Sequence, residues 1–238
     1  MIRERGTSLM RNKPLRALVI AIIGFCSVEA ETAYQIEHAG VTIQVVEFSK
    51  DENHGFELLD DSKVKQGHWI DRQFSEDYLL MANGGYFDGS LNPVGYCKIG
   101  SVVHSDSDNP KLSGYLVLDE EGRLDLSFKE RLKSAHSVLQ CGPYVIDPGG
   151  QLGIRSRTGT PAKRTLVALK GDGAVLILST SEVLLYDLAR ILKEQIPELD
   201  RALNLDGGPS VGFCYGDIRV KNHNPVANFL GKRREVSN

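Results

Sequence analysis

Three short stretches place residues able to do chemistry at the ends of apolar runs. "ALNLDGGPS" sets Asp206 between a short apolar run and two glycines, "ANGGYF" sets Asn83 before another glycine pair, and "AKRTLVAL" sets Arg164 at the head of a third run. A carboxylate can stabilise or attack a cationic carbon, a guanidinium can grip an oxyanion with paired N–H groups, and a carboxamide offers donor and acceptor together. Glycines beside such groups let a ligand approach the backbone. Each stretch taken singly is also plain turn chemistry. Asn-Gly and Asp-Gly are strong hairpin dipeptides, and an arginine opening a strand ordinarily faces solvent.

Most motifs that announce other chemistries are absent. The chain has no H-E-x-x-H, no phosphate-binding G-x-x-x-x-G-K-[ST] and no G-x-G-x-x-G, which argues against zinc proteases and nucleotide-binding enzymes. Six histidines are scattered without metal-like spacing, and Cys97, Cys141 and Cys214 form no C-x-x-C. No metal and no cofactor is therefore expected. "SDSDNP" at 105–110 alternates Asp106 and Asp108 but lacks the later ligands and the glycine of a calcium loop, and reads as a solvated turn before Pro110. A metal-dependent phosphodiesterase would need a cluster of His and Asp that the sequence does not offer.

The elements that must position the three stretches are mostly strands. The 238 residues are 41% hydrophobic and 25% charged, the balance of a folded protein with a sizeable core, and the 24 glycines fall largely in turn-like pairs. "YQIEHAGVTIQVVEF" and "GYLVLDEEGRLDLSF" read as hairpins, as do the runs about Pro148-Gly149-Gly150 and Gly171-Asp172-Gly173. "GHWIDRQFSED" reads as a short helix or turn. One helix is clear: Leu184, Leu185, Leu188, Ile191, Leu192 and Ile196 share a face, with Ser181 as N-cap, Glu182 near the positive end and Pro197 closing it. "ALNLDGGPS" then follows as a strand packed under that helix. The expectation is one α+β domain, rich in β hairpins, with a mixed sheet and a few packing helices.

Residues 1–30 read as a signal peptide: a basic start, the apolar run "ALVIAIIGF", and small residues at Val28 and Ala30. The run is short for a membrane span, so residues 31–238 are expected as an exported domain, periplasmic or secreted, without a stable span. A lipid anchor at Cys26 is disfavoured by the bulky Phe25. Removing residues 1–30 takes away more basic than acidic side chains, so the remainder is more acidic than the full chain's net −3. That charge gives no footprint for nucleic acid. An oxidising compartment would permit one disulfide among Cys97, Cys141 and Cys214, without saying which pair.

Taken in order, "NGGYF", "PVGYCKIGSVV", "CGPYVI", "RTLVAL", a helix and "ALNLDGGPS" resemble the phosphodiester glycosidase family over roughly residues 34–228. Pro209 stands where that family usually has glycine or another small residue. The resemblance implies hydrolysis of the bond between a sugar's anomeric carbon and a phosphodiester, with a carbohydrate phosphodiester as the substrate. It implies Asp206, Arg164 and Asn83 as catalytic residues: Asp206 at the anomeric centre, Arg164 clamping phosphate, and Asn83 bonding sugar or phosphate. Gly84, Gly85, Tyr86, Gly207, Gly208 and Ser210 are implied as substrate-binding. Glycosidases commonly use two carboxylates; Asp88, Glu182 and Asp187 are the nearest candidates for a second, and each has a bland reading as a turn or solvated helix acid. A phosphate leaving group is already a weak base, so one carboxylate can suffice. The alternative from a different class is a non-catalytic module that binds envelope polysaccharide or another partner.

Overall fold

The structure, a computed structural model, describes residues 20–21, 31–60, 69–127 and 135–235. Most of the signal-peptide expectation therefore lies outside the described residues. Strands dominate. In chain order they are β1 (Ile20–Ala21), β2 (Thr32–His38), β3 (Val41–Phe48), β4 (Phe56–Asp60), β5 (Tyr78–Asn83), β6 (Cys97–Ile99), β7 (Val102–Ser105), β8 (Gly114–Leu118), β9 (Leu124–Ser127), β10 (Ser137–Cys141), β11 (Tyr144–Asp147), β12 (Gln151–Leu152), β13 (Ala162–Lys170), β14 (Gly173–Val183), β15 (Arg201–Asn204), β16 (Phe213–Tyr215), β17 (Ile218–Val220) and β18 (Asn228–Arg233). Among the described residues two α-helices interrupt them, the single turn α1 (Ile70–Gln73) and α2 (Leu185–Gln195).

The strands form three sheets. An eight-stranded sheet runs β1-β2-β3-β14-β13-β15-β11-β12, and two five-stranded sheets run β7-β6-β10-β8-β9 and β17-β16-β5-β18-β4. The large sheet is buried on both faces. Along β13, Leu166 and Ala168 face α2, where Leu188 and Leu192 lie, while Val167 and Leu169 face the opposite way. On that opposite side they meet Leu80 and Ala82 of β5 and Leu116 and Leu139 of the other small sheet. This two-sided burial is why "TLVAL" and "AVLIL" are continuous apolar runs, and the alternation of side chains across a strand delivers each run to two cores at once.

Three expectations need correction. The sheets are not mixed: every ladder among the described residues is antiparallel. Continuous apolar strands suggest parallel pairing, but here tight turns join neighbours such as β13 and β14, and such turns permit only antiparallel ladders. Among the described residues the packing helices reduce to one of more than a single turn, α2. It also starts later than its sequence suggests, because β14 continues to Val183 and Ser181 is spent on the sheet, its hydroxyl accepting from the Thr42 N–H at 3.2 Å. Leu184 precedes the helix with no side-chain cap, and Asp187 rather than Glu182 lies in the first turn. The third correction concerns sulfur: Cys97, Cys141 and Cys214 are all free and buried. Cys214 sits in a separate cluster from the other two, and Cys97 directly faces Leu139 rather than Cys141.

Of β15, Ala202 packs toward α2 as expected, but Leu203 points into the other core. The α2 contact is thus carried by a few residues, of which Leu188 is fully enclosed. Leu188→Ala is expected to destabilise by about 2–5 kcal/mol, lowering the melting temperature by about 2–4 °C per kcal/mol; thermal unfolding monitored by circular dichroism measures this.

Candidate active site

Residues at the ends of β5 and β15 meet the first half of β13. β13 and β15 are paired with Leu166 opposite Asn204, so the chain leaves β15 toward Asp206 just where Arg164 enters β13. Leu205 N–H donates to Thr165 O at 2.9 Å and carries the pairing one residue further. The end of β5, from a different sheet, is fastened to this point by Asn83. Its Nδ2 donates to Asp206 O at 2.9 Å and Gly84 O at 3.3 Å, and its Oδ1 accepts from Thr165 Oγ1 at 2.6 Å and Gly212 N at 3.3 Å. That is the full capacity of a carboxamide. Asn83 has no exposed surface. The structure therefore places Asn83 beneath the site, where it holds the Asp206 backbone.

Asp206 is half-buried and lies at the bend that follows β15. Its Oδ1 accepts from Gly207 N at 2.8 Å, and the Ser210 hydroxyl also bonds the carboxylate. Burial pushes its pKa above the ordinary carboxylate value, partly offset by those two hydrogen bonds. Ser210 is itself buried within the short 3-10 turn Gly208–Ser210. Gly208 has φ +61, and a side chain there would meet nothing within 4 Å, so this bend is open on the Gly208 side.

Arg164 is likewise half-buried, and burial lowers its pKa from the ordinary guanidinium value. Its Nη2 donates to Thr160 O at 2.8 Å and its Nε to Val183 O at 3.5 Å. A Cβ on Gly207 would lie 3.6 Å from Arg164 Nη1. The guanidinium thus flanks the Asp206–Gly207 bend and keeps donors unspent, since a guanidinium has five. Among the described residues, neither Asp206 nor Arg164 has an ion-pair partner. Two half-buried opposite charges, each without a counter-ion, suit a ligand that carries both an anionic group and a developing cation.

Tyr86 completes the group. Its hydroxyl lies near enough to Asp206 and Arg164 to feel both charges, donates to Gly142 O at 2.8 Å, and accepts from Asn204 Nδ2 at 2.6 Å. The two glycines before it serve packing. A Cβ on Gly84 would fall 2.0 Å from Asn228 Oδ1, and one on Gly85 would fall 3.0 Å from the Leu139 side chain. Gly85 N–H donates to Asn228 Oδ1. Of the sequence candidates, then, Asp206, Arg164, Tyr86, Gly207, Gly208 and Ser210 gather around the open bend, while Asn83, Gly84 and Gly85 lie in the layer beneath.

The other acids stand apart in their bonding. Asp88 closes its own turn on the Ser90 and Asn92 N–H groups, and Asp187 forms a two-pronged pair with Arg157 on the surface. Glu182 lines a separate cleft of about 630 Å³ with His38, Arg157 and Arg190. Among the described residues, no group of three or more His, Cys, Asp or Glu is placed to hold a metal ion. Sequence reasoning missed Asn204, Asn228 and Thr165. Each is a buried polar residue bordering or within an apolar run, which is a signal in itself, because such a residue must find partners.

The model of the phosphodiester glycosidase family matches residues 77–238, well over half of the chain. Comparison with curated proteins finds no match. Among solved structures, the catalytic domain of zebrafish N-acetylglucosamine-1-phosphodiester α-N-acetylglucosaminidase, auto-inhibited by its pro-peptide, is similar with a TM-score of 0.66 and 13% identity, over 93% of this chain and 89% of that one. A hypothetical protein from Synechocystis is similar with a TM-score of 0.63 and 14% identity, over 84% of this chain and 61% of the other. At such identities these likenesses speak for the fold alone.

The raised pKa of Asp206 has a stability consequence with a definite sign. Between the unfolded and folded values the native state binds more protons than the unfolded state, so stability falls as pH rises through that window. Asp206→Asn is expected to melt a few degrees higher than the wild type at pH 7, with the difference shrinking as pH drops below the unfolded carboxylate value. Paired melts from pH 3 to pH 8 test this, and a variant less stable at pH 7 would contradict it.

Proposed function

The chain belongs to the phosphodiester glycosidase family, and on that premise we propose that it is an exported hydrolase that cleaves the bond between a sugar's anomeric carbon and a phosphodiester. The observation that carries the reading is the pair of half-buried, uncompensated charges at one bend, Asp206 and Arg164. The substrate supplies what each lacks. Its phosphodiester bears one negative charge for Arg164, whose unspent N–H groups can grip two oxygens. Its anomeric carbon becomes cationic as the bond to phosphate breaks, and the Asp206 carboxylate lies ready to stabilise or attack it.

The remaining roles follow from bonding. The Gly207 N–H and the Ser210 hydroxyl hold the Asp206 carboxylate and favour its charged form, partly offsetting the upward push of burial on its pKa. Gly208, open to solvent space, lets the substrate reach the bend. Asn83 acts by positioning rather than contact, since its amide is fully used. The leaving group is a phosphate monoester, a weak base that departs without a strong acid, which fits a site built around one carboxylate. Water supplies the hydroxyl that ends on the sugar, and the products are free sugar and the phosphomonoester.

Export rests on the basic and apolar pattern of residues 1–30, with residues 31–238 as the mature domain. No helix among the described residues is long and apolar enough to cross a membrane.

A panel of sugar-1-phosphodiesters tests the activity. Wild type should release free sugar, Asp206→Asn should lose on the order of 10³-fold in turnover, and Arg164→Lys should weaken kcat/KM by roughly tenfold or more through loss of the paired grip. Hydrolysis in ¹⁸O-water should label the sugar and leave the phosphate unlabelled. Label in phosphate would instead mean cleavage of a P–O bond, and tight glycan binding with no release would mean a binding module.

A further inference from the structure

The hydrogen bonds around Tyr86 leave no choice in which way they run. Asn204 Nδ2 donates to Leu205 O at 2.7 Å, a partner that can only accept, so the nitrogen end of that amide is fixed. The same Nδ2 is 2.6 Å from Tyr86 Oη, and an amide nitrogen is only a donor. Tyr86 Oη must therefore accept there. Its own proton must then go to Gly142 O at 2.8 Å, which again can only accept. The phenol is left with acceptor capacity and nothing to donate.

The packing holds this arrangement rigidly. Asn204 is 1% exposed and ends β15, and its backbone is locked on both sides, with Gly142 N–H donating to Asn204 O and Asn204 N–H donating to Pro143 O. Burial and the nearby Asp206 keep the phenol protonated by raising its pKa above the ordinary tyrosine value. Asn204 Oδ1 is buried without a hydrogen-bond partner. An amide turned end for end would put that oxygen against the Leu205 carbonyl, so the unpaired oxygen is what this orientation of the donor entails.

We propose that Tyr86, locked by Asn204 and Gly142 as a pure hydrogen-bond acceptor, recognises a donor on the sugar ring, a hydroxyl or an amide N–H, and makes the site selective for sugars that present it. This rests on the glycosidase reading above. A phosphodiester oxygen offers no proton and cannot bond to Tyr86 Oη, so phosphate falls to Arg164 and the sugar to Tyr86. Because both flank Asp206, the division orients the anomeric carbon between them. Asn204 contributes as a positioning residue, acting through the phenol.

The test is a double cycle of ligand and side chain. Calorimetry on the full chain would measure binding of glucose 1-phosphate and N-acetylglucosamine 1-phosphate, and of their analogues deoxygenated singly at the ring and C6 positions or lacking the acetamido group. Wild type should bind one such analogue roughly tenfold more weakly than its parent, the scale of one neutral hydrogen bond. Tyr86→Phe should bind parent and that analogue equally, while keeping the wild-type order among all the others. Asn204→Ala, which frees the phenol to rotate, should shrink the same discrimination to a few-fold and leave the others alone; it serves also if Tyr86→Phe melts far below the wild type. A uniform loss across every ligand, or discrimination unchanged by Tyr86→Phe, would overturn the proposal while leaving the glycosidase reading intact. Failure of wild type to bind any member would count against both.

Discussion

The arrangement depends on one buried carboxamide. Asn83 ends a strand of one sheet and makes four hydrogen bonds, three of them to residues outside its own strand and turn, reaching Thr165, Asp206 and Gly212. Without it the five-stranded sheet that holds β5 and the eight-stranded sheet that holds β13 would still share apolar contacts, but those are non-directional and fix no angle. A fully satisfied buried polar group does fix it, because any sliding leaves a donor or acceptor dry and unpaired. Asp206 inherits its position from that requirement, through its own carbonyl and through its N–H bond to Gly84 O at 3.1 Å.

Above this rigid layer the molecule tolerates what it avoids elsewhere. Most of the ion pairs among the described residues lie toward the surface, as with Lys50 and Asp172 or Arg157 and Asp187, where they weigh little in stability. At the bend the pattern inverts: Asp206 and Arg164 are half-buried, and burial is the largest cause of the pKa shift of each. Such a site is less stable empty than it would be with apolar residues, and that strain is available to a ligand of complementary charge.

Much of this was legible in the sequence, and the failures have physical reasons. The hairpins β2–β3, β8–β9 and β13–β14 follow from turn dipeptides between apolar runs, and Asp206 and Arg164 stand out as charges at the ends of such runs. The start of α2 was misread because Ser181 looks like a cap, and only the pairing of β14 with β13 and β3 shows that its hydroxyl belongs to Thr42 N–H. Two-sided burial produces the same apolar pattern whichever way the strands run, so strand direction is not legible in the runs themselves. The bonding of Asn83 is not legible in the sequence, since three of its four hydrogen bonds go to distant parts of the chain. Asn204 went unremarked for the same reason, although it sits two residues from Asp206 in the same quoted stretch.

Those distances along the chain have a consequence for how the protein is made. The bonds that join Asn83 to Thr165, Tyr86 to Asn204, Asn83 to Asp206 and Gly85 to Asn228 span 82, 118, 123 and 143 residues. Contacts of such long range must wait for loop closure that shorter hairpins do not need, which slows folding. The site is therefore a late product of assembly. Asn228 lies far along the chain from Gly85, so the bond between them cannot form on a growing polypeptide until Asn228 has been added.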